Sequence, residues 1–359
     1  MPLSPRQRPA LPRAARPIVV FGAGGIVRDA HLPAYRLAGF PVAGLYDPYP
    51  GKARALAAAF GIPRVYASVA EAVAAAPRRA VFDVAVPAPA LSGLLPALPR
   101  GAAVLIQKPF GEDLAQARAL RALCRRRRFR AGVNFQLRYA PCVLAARDLI
   151  ARGVIGELHD VEARVTVYMP WQLWTFLEKV PRVEILYHSI HYVDLIRSFL
   201  GEPRGVYAKT LRSPKSRRLA STRSNIVLDY GDLVRANITT NHSHEFGPRH
   251  QESYIKWEGT RGAIKAHLGL LLNYPRGEPD ALEYCTLRAG GRPGPWRRVP
   301  LAGNWYPHAF IGTMAGVMRF AGGETRDPPI SVDDAVRTMA VVEAAYRSSA
   351  AGATPIPAT

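Results

Sequence analysis

A glycine-rich turn and an acidic residue further along the chain are the first residues whose types and spacing could support binding or catalysis. Gly22, Gly24 and Gly25 follow an apolar run typical of a strand, and Asp47 ends the next such run. Glycines let the backbone approach a pyrophosphate, the helix expected near Ile26 offers it unpaired N–H groups, and the carboxylate can bond both ribose hydroxyls. The spacing predicts a dinucleotide site; an ordinary tight turn with Asp47 as helix N-cap is the alternative.

Lys108 is the second residue whose position in the sequence indicates a role in binding or catalysis. It follows the apolar run 104–106 and is preceded by Gln107 and followed by Pro109. The carboxyl ends of parallel strands are where such sheets bind ligands, so the lysine should stand at a binding edge. A surface lysine at a strand end is the alternative.

A third set of titratable side chains lies on a predicted helix. Glu184, Tyr187, His191 and Asp194 recur at spacings of three and four and so should share one face, with His188 beside them. A histidine with an ordinary pKa of about 6.5 can exchange protons near neutrality. Packing of His191 and Tyr187 in the interior is the alternative.

The composition indicates a soluble globular chain. It has 359 residues, 48% of them hydrophobic and 21% charged, which suits two domains with separate cores. The net charge is +21, but the dense arginine run at 125–128 should end a helix and no nucleic-acid motif accompanies it. We therefore predict no nucleic-acid partner and no membrane partner.

The N-terminal segment and the cysteines indicate the cellular compartment of the protein. Residues 1–16 are basic and proline-rich without a long apolar run, which predicts a disordered tail and neither signal nor anchor. Cys124, Cys142 and Cys285 are too far apart for a disulfide framework or a thiolate zinc site. A reducing cytoplasm fits this pattern.

The elements that must position these residues fall into two regions. Residues 17–138 alternate apolar strands with helices, which predicts a doubly wound parallel sheet of the Rossmann type. Residues 139–359 carry long alternating runs, which predict an α/β domain with an open, mainly antiparallel sheet. The exposed face of that sheet needs cover, so we expect a homodimer or homotetramer.

Together these features resemble the glucose-fructose oxidoreductase, inositol dehydrogenase and MocA (Gfo/Idh/MocA) family. The resemblance covers nearly the whole chain and includes the segments 134–141, 155–157, 258–262 and 341–346. It implies an NAD(P)-dependent dehydrogenase or reductase acting on CH–OH groups of a sugar, polyol or inositol-like substrate.

The resemblance also implies roles for individual residues. Lys108 matches the lysine of a family Glu-Lys-Pro motif and would donate a hydrogen bond to the developing alkoxide or carbonyl oxygen. His191 matches the histidine of an Asp-x-x-x-His motif and would act as base, with Tyr187 as a third catalytic candidate. The family's glutamate is replaced by Gln107, which keeps an acceptor oxygen, and its aspartate by Tyr187.

Without that aspartate His191 loses its usual carboxylate neighbour. Glu184 or Asp194 can take its place, and Tyr187 would need a nearby cation to act as a base. The substrate contacts implied by this arrangement are Trp171, Glu184 and His188.

The cofactor contacts expected from the turn and the resemblance are Gly22, Gly24, Gly25, Ile26, Asp47, Pro87, Gln107 and Gln136. A carboxylate at Asp47 repels a 2′-phosphate and favours NAD, whereas Lys52 and Arg54 leave NADP open. His242, His244 and His250 lie close in sequence, but no acid accompanies them at ligand spacing, so we predict no metal.

Two other classes of function stay open. A lyase or glycoside-cleaving enzyme of the same fold would oxidise its substrate transiently and retain bound NAD. A non-catalytic dinucleotide-binding sensor would bind NAD without hydride exchange, and the missing glutamate and aspartate encourage that interpretation.

Overall fold

The computed structural model describes residues 3–274 and 276–357. The chain forms two compact units, one made of Pro5–Ala145 with Leu301–Arg337 and the other mainly of Ala146–Pro300 with residues from 338 onward. Among the described residues, no helix has the length and apolar character needed to span a bilayer.

A five-stranded parallel sheet organises the first unit and confirms the Rossmann prediction. Its order is β2-β1-β3-β4-β5, with every neighbouring pair parallel. The all-apolar strands are buried on both faces, as expected for a sheet covered by helices on each side. The strands are β1 (Ile18–Phe21), β2 (Val42–Tyr46), β3 (Val81–Val84), β4 (Ala103–Ile106) and β5 (Arg130–Val133).

The helices between these strands have recognisable start signals. The carboxylate of Asp113 accepts a hydrogen bond from the Gln116 N–H (2.7 Å), and Ser68 does the same for Glu71 (3.0 Å). Both are N-caps that satisfy donors of the first turn. The helices are α1 (Leu32–Ala38), α2 (Pro50–Phe60), α3 (Val69–Ala74), α4 (Leu91–Leu94) and α5 (Leu114–Arg126).

The second unit is built on an open eight-stranded sheet, which confirms the mainly antiparallel prediction. Its order is β13-β12-β11-β10-β6-β9-β8-β7, and among the described strands the β6–β9 pair is parallel while the other pairs are antiparallel. The strands are β6 (Leu158–Thr166), β7 (Gly205–Leu211), β8 (Arg223–Asp229), β9 (Arg235–Asn241), β10 (Glu252–Gly259), β11 (Gly262–His267), β12 (Ala281–Thr286) and β13 (Arg297–Val299).

One face of this sheet is buried because apolar side chains alternate with polar ones along each strand. Ile226, Ile238 and Trp257 belong to that buried face. The remaining long helices are α6 (Pro141–Ala151), α7 (Ile190–Leu200), α8 (Trp305–Ala321) and α9 (Val332–Ala351).

The division of the chain differs from the predicted boundary at residue 139. Residues Leu301–Arg337 return to the first unit, where α8 packs on α1, β4 and β5. The cause is the apolar surface of α8, on which Phe310, Met314 and Val317 are fully buried. The predicted span 139–359 is therefore not one continuous domain.

The segment before β1 contains no helix or strand in residues 3–16. Three of its residues form hydrogen bonds with later parts of the chain. The Gln7 side chain accepts from the Ala302 N–H (2.7 Å), the Arg13 N–H donates to Glu324 (2.9 Å), and Arg16 donates to the Ala321 carbonyl (2.7 Å). These partners lie in the returning segment, which the prediction had placed elsewhere.

Candidate active site

The glycine turn after β1 has the geometry of a phosphate cradle. Gly22 has φ of +110°, and a Cβ there would lie 2.4 Å from the Ala85 carbonyl oxygen. A Cβ at Gly24 would meet nothing within 4 Å, so the space above the turn is open. Glycine at 22 is therefore required by the fold itself, whereas glycine at 24 leaves room for a ligand.

A helical segment starts directly behind this turn. A π-helical turn spans Val27–His31 and continues into α1, with Ile26 as the residue before it. The Val27 and Arg28 N–H groups donate back to the Gly24 carbonyl (both 3.1 Å). The N-terminal end of the helix thus adjoins the glycines, as predicted from the spacing.

Asp47 connects the end of β2 to the same turn. One carboxylate oxygen accepts from the Ala23 N–H (2.7 Å) and the other from the Tyr49 N–H (2.8 Å). The N-cap of α2 is Tyr49, so the alternative that made Asp47 a helix cap is wrong. A carboxylate has about four acceptor positions, so each oxygen can still accept a ribose hydroxyl.

Gln136 is a buried amide with unsatisfied polar atoms. It begins a 3₁₀ turn, Gln136–Tyr139, after β5 and is fully buried. Among the described residues neither its Oε1 nor its Nε2 has a hydrogen-bond partner. Leaving such a group unpaired costs roughly 1–3 kcal/mol, so this amide suits a polar ligand such as a carboxamide. Pro87 lies beyond β3, where it precedes a 3₁₀ turn.

Lys108 stands at the carboxyl end of β4, as predicted. The neighbouring Gln107 N–H donates to the Val84 carbonyl (2.9 Å), which continues the β3–β4 pairing by one residue. Lys108 itself is half-buried, and burial lowers its pKa to about 8. An amine with this pKa can give and accept a proton in mildly alkaline solution.

A buried polar network behind Gln107 was missed by the sequence reasoning. The Asn134 amide donates to Gln107 Oε1 (2.7 Å) and lies 3.2 Å from His31 Nε2. His31 Nδ1 is 2.8 Å from Asp83, which also accepts from the Tyr35 hydroxyl (2.7 Å). The network therefore holds the Gln107 amide in one orientation. An aspartate inside the apolar strand β3 was the signal that could have revealed it.

The predicted helix in the second unit starts differently from an α-helix. Glu184–Ser189 is π-helical and leads into α7. A π turn pairs residues five apart, so the three-and-four spacing of a shared face does not apply there. Glu184 accepts from Ser189 Oγ (3.0 Å), whereas Asp194 accepts from Thr338 Oγ1 (2.9 Å) in α9. The predicted single face with both carboxylates is therefore not observed.

The three predicted substrate residues do lie together. The Trp171 ring meets His188 edge-on at 5.3 Å, and His188 Nδ1 is 3.7 Å from Glu184 Oε2. His242, from the end of β9, completes the group with its Nδ1 at 2.9 Å from the same carboxylate oxygen. His242 lies 58 positions after Glu184 in the sequence. No spacing rule connects residues so far apart, so this pairing was missed.

Tyr187 and His191 are both buried in the second unit. The Tyr187 ring lies 5.8 Å from Phe176 in a T-shaped contact. His244 and His250, which the sequence places near His242, lie outside the group described above: the His244 N–H donates to the Val167 carbonyl, and His250 is exposed in a 3₁₀ turn.

Comparison with known proteins places these features in a family. Residues 16–135 match the model described as an oxidoreductase family with an NAD-binding Rossmann fold, and residues 143–265 match the GFO/IDH/MocA C-terminal domain. A D-apiose dehydrogenase of Paraburkholderia graminis is 27% identical over 350 residues, which cover 93% of this chain and 88% of that protein.

Solved structures share the fold. An oxidoreductase of Agrobacterium radiobacter, in complex with NAD⁺, L-tartaric acid and magnesium, aligns with a TM-score of 0.74 at 21% identity over 94% of this chain and 97% of that one. An aldose–aldose oxidoreductase of Caulobacter crescentus, complexed with glycerol, aligns with a TM-score of 0.76 at 18% identity over 95% and 99% of the two chains. With both family models matched in order, this chain belongs to the GFO/IDH/MocA family of oxidoreductases and carries its NAD-binding Rossmann domain.

Proposed function

We propose that this enzyme transfers hydride between NAD or NADP and a CH–OH group of a sugar, polyol or inositol-like substrate. The observation that carries the proposal is Lys108, a half-buried lysine with a lowered pKa at the carboxyl end of a parallel strand. It belongs to the same unit as the glycine turn. The D-apiose dehydrogenase relative supports a sugar-like substrate.

The residues present fit a dinucleotide. Gly22 and Gly24 shape the turn for a pyrophosphate, Asp47 retains acceptor capacity for the ribose, and Gln136 offers an unpaired amide. Ile26, Gly25, Pro87 and Gln107 are the further contacts that we propose. The bound nicotinamide supplies the hydride-accepting or hydride-donating carbon. We favour NAD because Asp47 repels a 2′-phosphate and the Lys52 ammonium is 4.7 Å from the Tyr49 ring, engaged in a cation–π contact.

Beyond the hydrogen-bond donor that the resemblance implies, we propose that Lys108 also transfers a proton at the substrate oxygen, because burial lowers its pKa to about 8. In the oxidation direction its neutral amine accepts the hydroxyl proton, and in the reduction direction its ammonium donates to the carbonyl oxygen. We further propose that His191 takes part in proton transfer and that Tyr187 assists it through its hydroxyl. Trp171, Glu184 and His188 are proposed to contact substrate.

The lowered pKa of Lys108 gives a directional pH dependence. Because oxidation requires the neutral amine, kcat/KM for oxidation should rise as pH increases and level off above about pH 8, whereas reduction should fall over the same range. Initial rates measured from pH 6 to 10 in both directions check this expectation. An oxidation rate that falls through pH 8 would contradict the assignment.

We also propose that the enzyme is a homodimer or homotetramer. On the outer strands β7 and β8, Tyr207 and Val227 are register partners and are 68% and 45% exposed. We infer that this exposed pair is part of the sheet face that a second copy of the chain would cover. Light scattering coupled to size exclusion should give two or four chains, and Tyr207→Lys should shift the mass downward. A wild-type monomer at all concentrations would contradict this proposal.

The substrate class is tested by incubating the protein with NAD⁺ or NADP⁺ and a panel of sugars, polyols, inositols and glycosides. Reduced-nicotinamide absorbance is followed while products are analysed by mass spectrometry. A substrate-dependent rise with loss of two hydrogens supports the dehydrogenase. Cleavage of the substrate without a rise in reduced-nicotinamide absorbance favours the lyase or glycoside-cleaving enzyme that oxidises its substrate transiently. Binding of NAD without cleavage and without a rise in absorbance favours the non-catalytic sensor.

A further inference from the structure

Glu184, His188 and His242 form a compact group that we call the Glu184 cluster. Their ligand-type atoms all lie within 4.8 Å of one another. Both imidazoles direct Nδ1 toward the same carboxylate oxygen, Glu184 Oε2, at 2.9 Å for His242 and 3.7 Å for His188. The two rings stack with centroids 4.5 Å apart. Two imidazole nitrogens and one carboxylate oxygen therefore converge on one small volume.

These separations suit a metal ion. Zinc binds imidazole nitrogen and carboxylate oxygen at about 2.0–2.2 Å, and tetrahedral geometry then sets its ligand atoms roughly 3.3–3.6 Å from one another. The two distances to Glu184 Oε2, 2.9 and 3.7 Å, bracket that range. All three separations are within 4.8 Å, so side-chain shifts on the order of 1 Å would bring the three atoms to the spacing of zinc ligands.

The carboxylate is oriented by a second layer of hydroxyl groups. Glu184 Oε1, the oxygen turned away from the histidines, accepts from Ser189 Oγ (3.0 Å), and Ser189 lies within hydrogen-bond distance of the Ser224 (3.1 Å) and Thr240 (3.3 Å) hydroxyls. Carboxylates that bind metals are themselves commonly hydrogen-bonded in this way. The π-helical turn places Ser189, five residues on, within reach of Glu184.

The cluster is largely enclosed, and the His188 Nδ1 atom itself is buried. The Glu184 and His242 side chains are buried, and the His188 side chain is 20% exposed. Trp171 packs edge-on against both imidazoles, at 5.3 Å from His188 and 6.3 Å from His242, and restrains their rotation. Three protein ligands leave the fourth position of a tetrahedral site for water or another oxygen ligand.

We propose that Glu184, His188 and His242 bind a divalent first-row metal ion, Zn²⁺ by ligand type, with one position open for an oxygen ligand. Two imidazoles and one carboxylate are a ligand set that zinc uses in proteins. This differs from the metal-free expectation based on His242, His244 and His250, which sought an acid nearby in the sequence. The acid instead comes from another element.

Metal binding is measured directly by isothermal titration of the chelator-treated full-length protein with Zn²⁺. We expect one tight site per chain, and at least about tenfold weaker binding in Glu184→Gln and in His188→Ala, because removal of even a supporting group costs a metal site about 10–100-fold. Titration with Co²⁺ should give visible d–d bands that both substitutions abolish. The titrations need neither cofactor nor substrate, so they test metal binding alone.

Matched controls come from the two nearby histidines outside the cluster. Because the chain has 9 histidines, weak binding elsewhere must be separated from the proposed site. His244→Ala and His250→Ala should keep the tight site and the Co²⁺ bands. His188 is the least buried ligand, so His188→Ala serves even if Glu184→Gln does not fold. Absence of a tight site in the wild type, or a site unchanged in His188→Ala, overturns the proposal and leaves a Glu184–His242 hydrogen-bonded pair.

Discussion

Replacing Lys108 by alanine is expected to lower turnover by at least about a hundredfold, the usual scale for removing an acid–base or oxyanion partner. The reason is that Lys108 is the group we assign to the reacting oxygen, and burial has already moved its pKa to about 8. NAD affinity should change little because the glycine turn after β1, which we propose as the pyrophosphate site, is separated from β4 by β3 in the sheet. Steady-state rates with the best substrate of the panel and equilibrium NAD binding check the two expectations.

Two control variants sharpen this prediction. Lys108→Arg keeps the positive charge but stays protonated, so the oxidation rate should not recover. Lys215 is an exposed lysine paired with Glu245 (2.9 Å), and Lys215→Ala should turn over like the wild type. Near-normal turnover in Lys108→Ala would contradict the catalytic role that we assign to this residue. It would favour the alternative of a non-catalytic dinucleotide-binding sensor.

Alanine at Gly22 should lower both the stability of the fold and the affinity for NAD. Its φ of +110° is unfavourable for any side chain, and the new Cβ would lie 2.4 Å from the Ala85 carbonyl oxygen. Strain of this kind costs about 1–3 kcal/mol, which corresponds to a Tm lower by roughly 3–10 °C. We expect NAD affinity to fall at least about tenfold as the cradle shifts, since one lost phosphate contact of about 1.5 kcal/mol has that effect.

Gly24 provides the matched comparison. A Cβ there meets nothing within 4 Å, so Gly24→Ala should keep the wild-type Tm. It should nevertheless weaken NAD binding because the methyl group occupies the open space above the turn. Thermal unfolding and NAD titration of both variants separate the two effects. A Gly24→Ala variant that binds NAD like the wild type would show that the pyrophosphate does not lie over this turn.

The parallel sheet could be predicted because the sequence patterns that specify its strands and turns lie within short segments of the chain. β1 and β4 are uninterrupted apolar runs, the first ending in glycines and the second running directly into the Gln107-Lys108-Pro109 turn. Their parallel direction follows from the alternation with helices, and so the positions of Asp47 and Lys108 at strand ends could be predicted from sequence. These are consequences of periodicity and turn chemistry within short windows.

The remaining features depend on contacts between distant residues. The π-helical turn at Glu184–Ser189 has the same apolar spacing as an α-helix, so its different pairing leaves no signal in the pattern. His242 meets Glu184, and Asp83 meets His31, only after folding. The assignment of α8 to the first unit likewise depends on the apolar surface against which the helix packs. The periodicity of the helix predicts that it has an apolar face, but does not specify what that face contacts.

Direct observation of hydride transfer is the measurement that tests the central claim. The polyhydroxy panel is repeated with compounds deuterated at the carbinol carbons, and the reduced cofactor is analysed by mass spectrometry. We predict one deuterium on the nicotinamide, with label transfer lost in Lys108→Ala and retained in Lys215→Ala. Bound cofactor that acquires no deuterium from any sugar, polyol or inositol would contradict it.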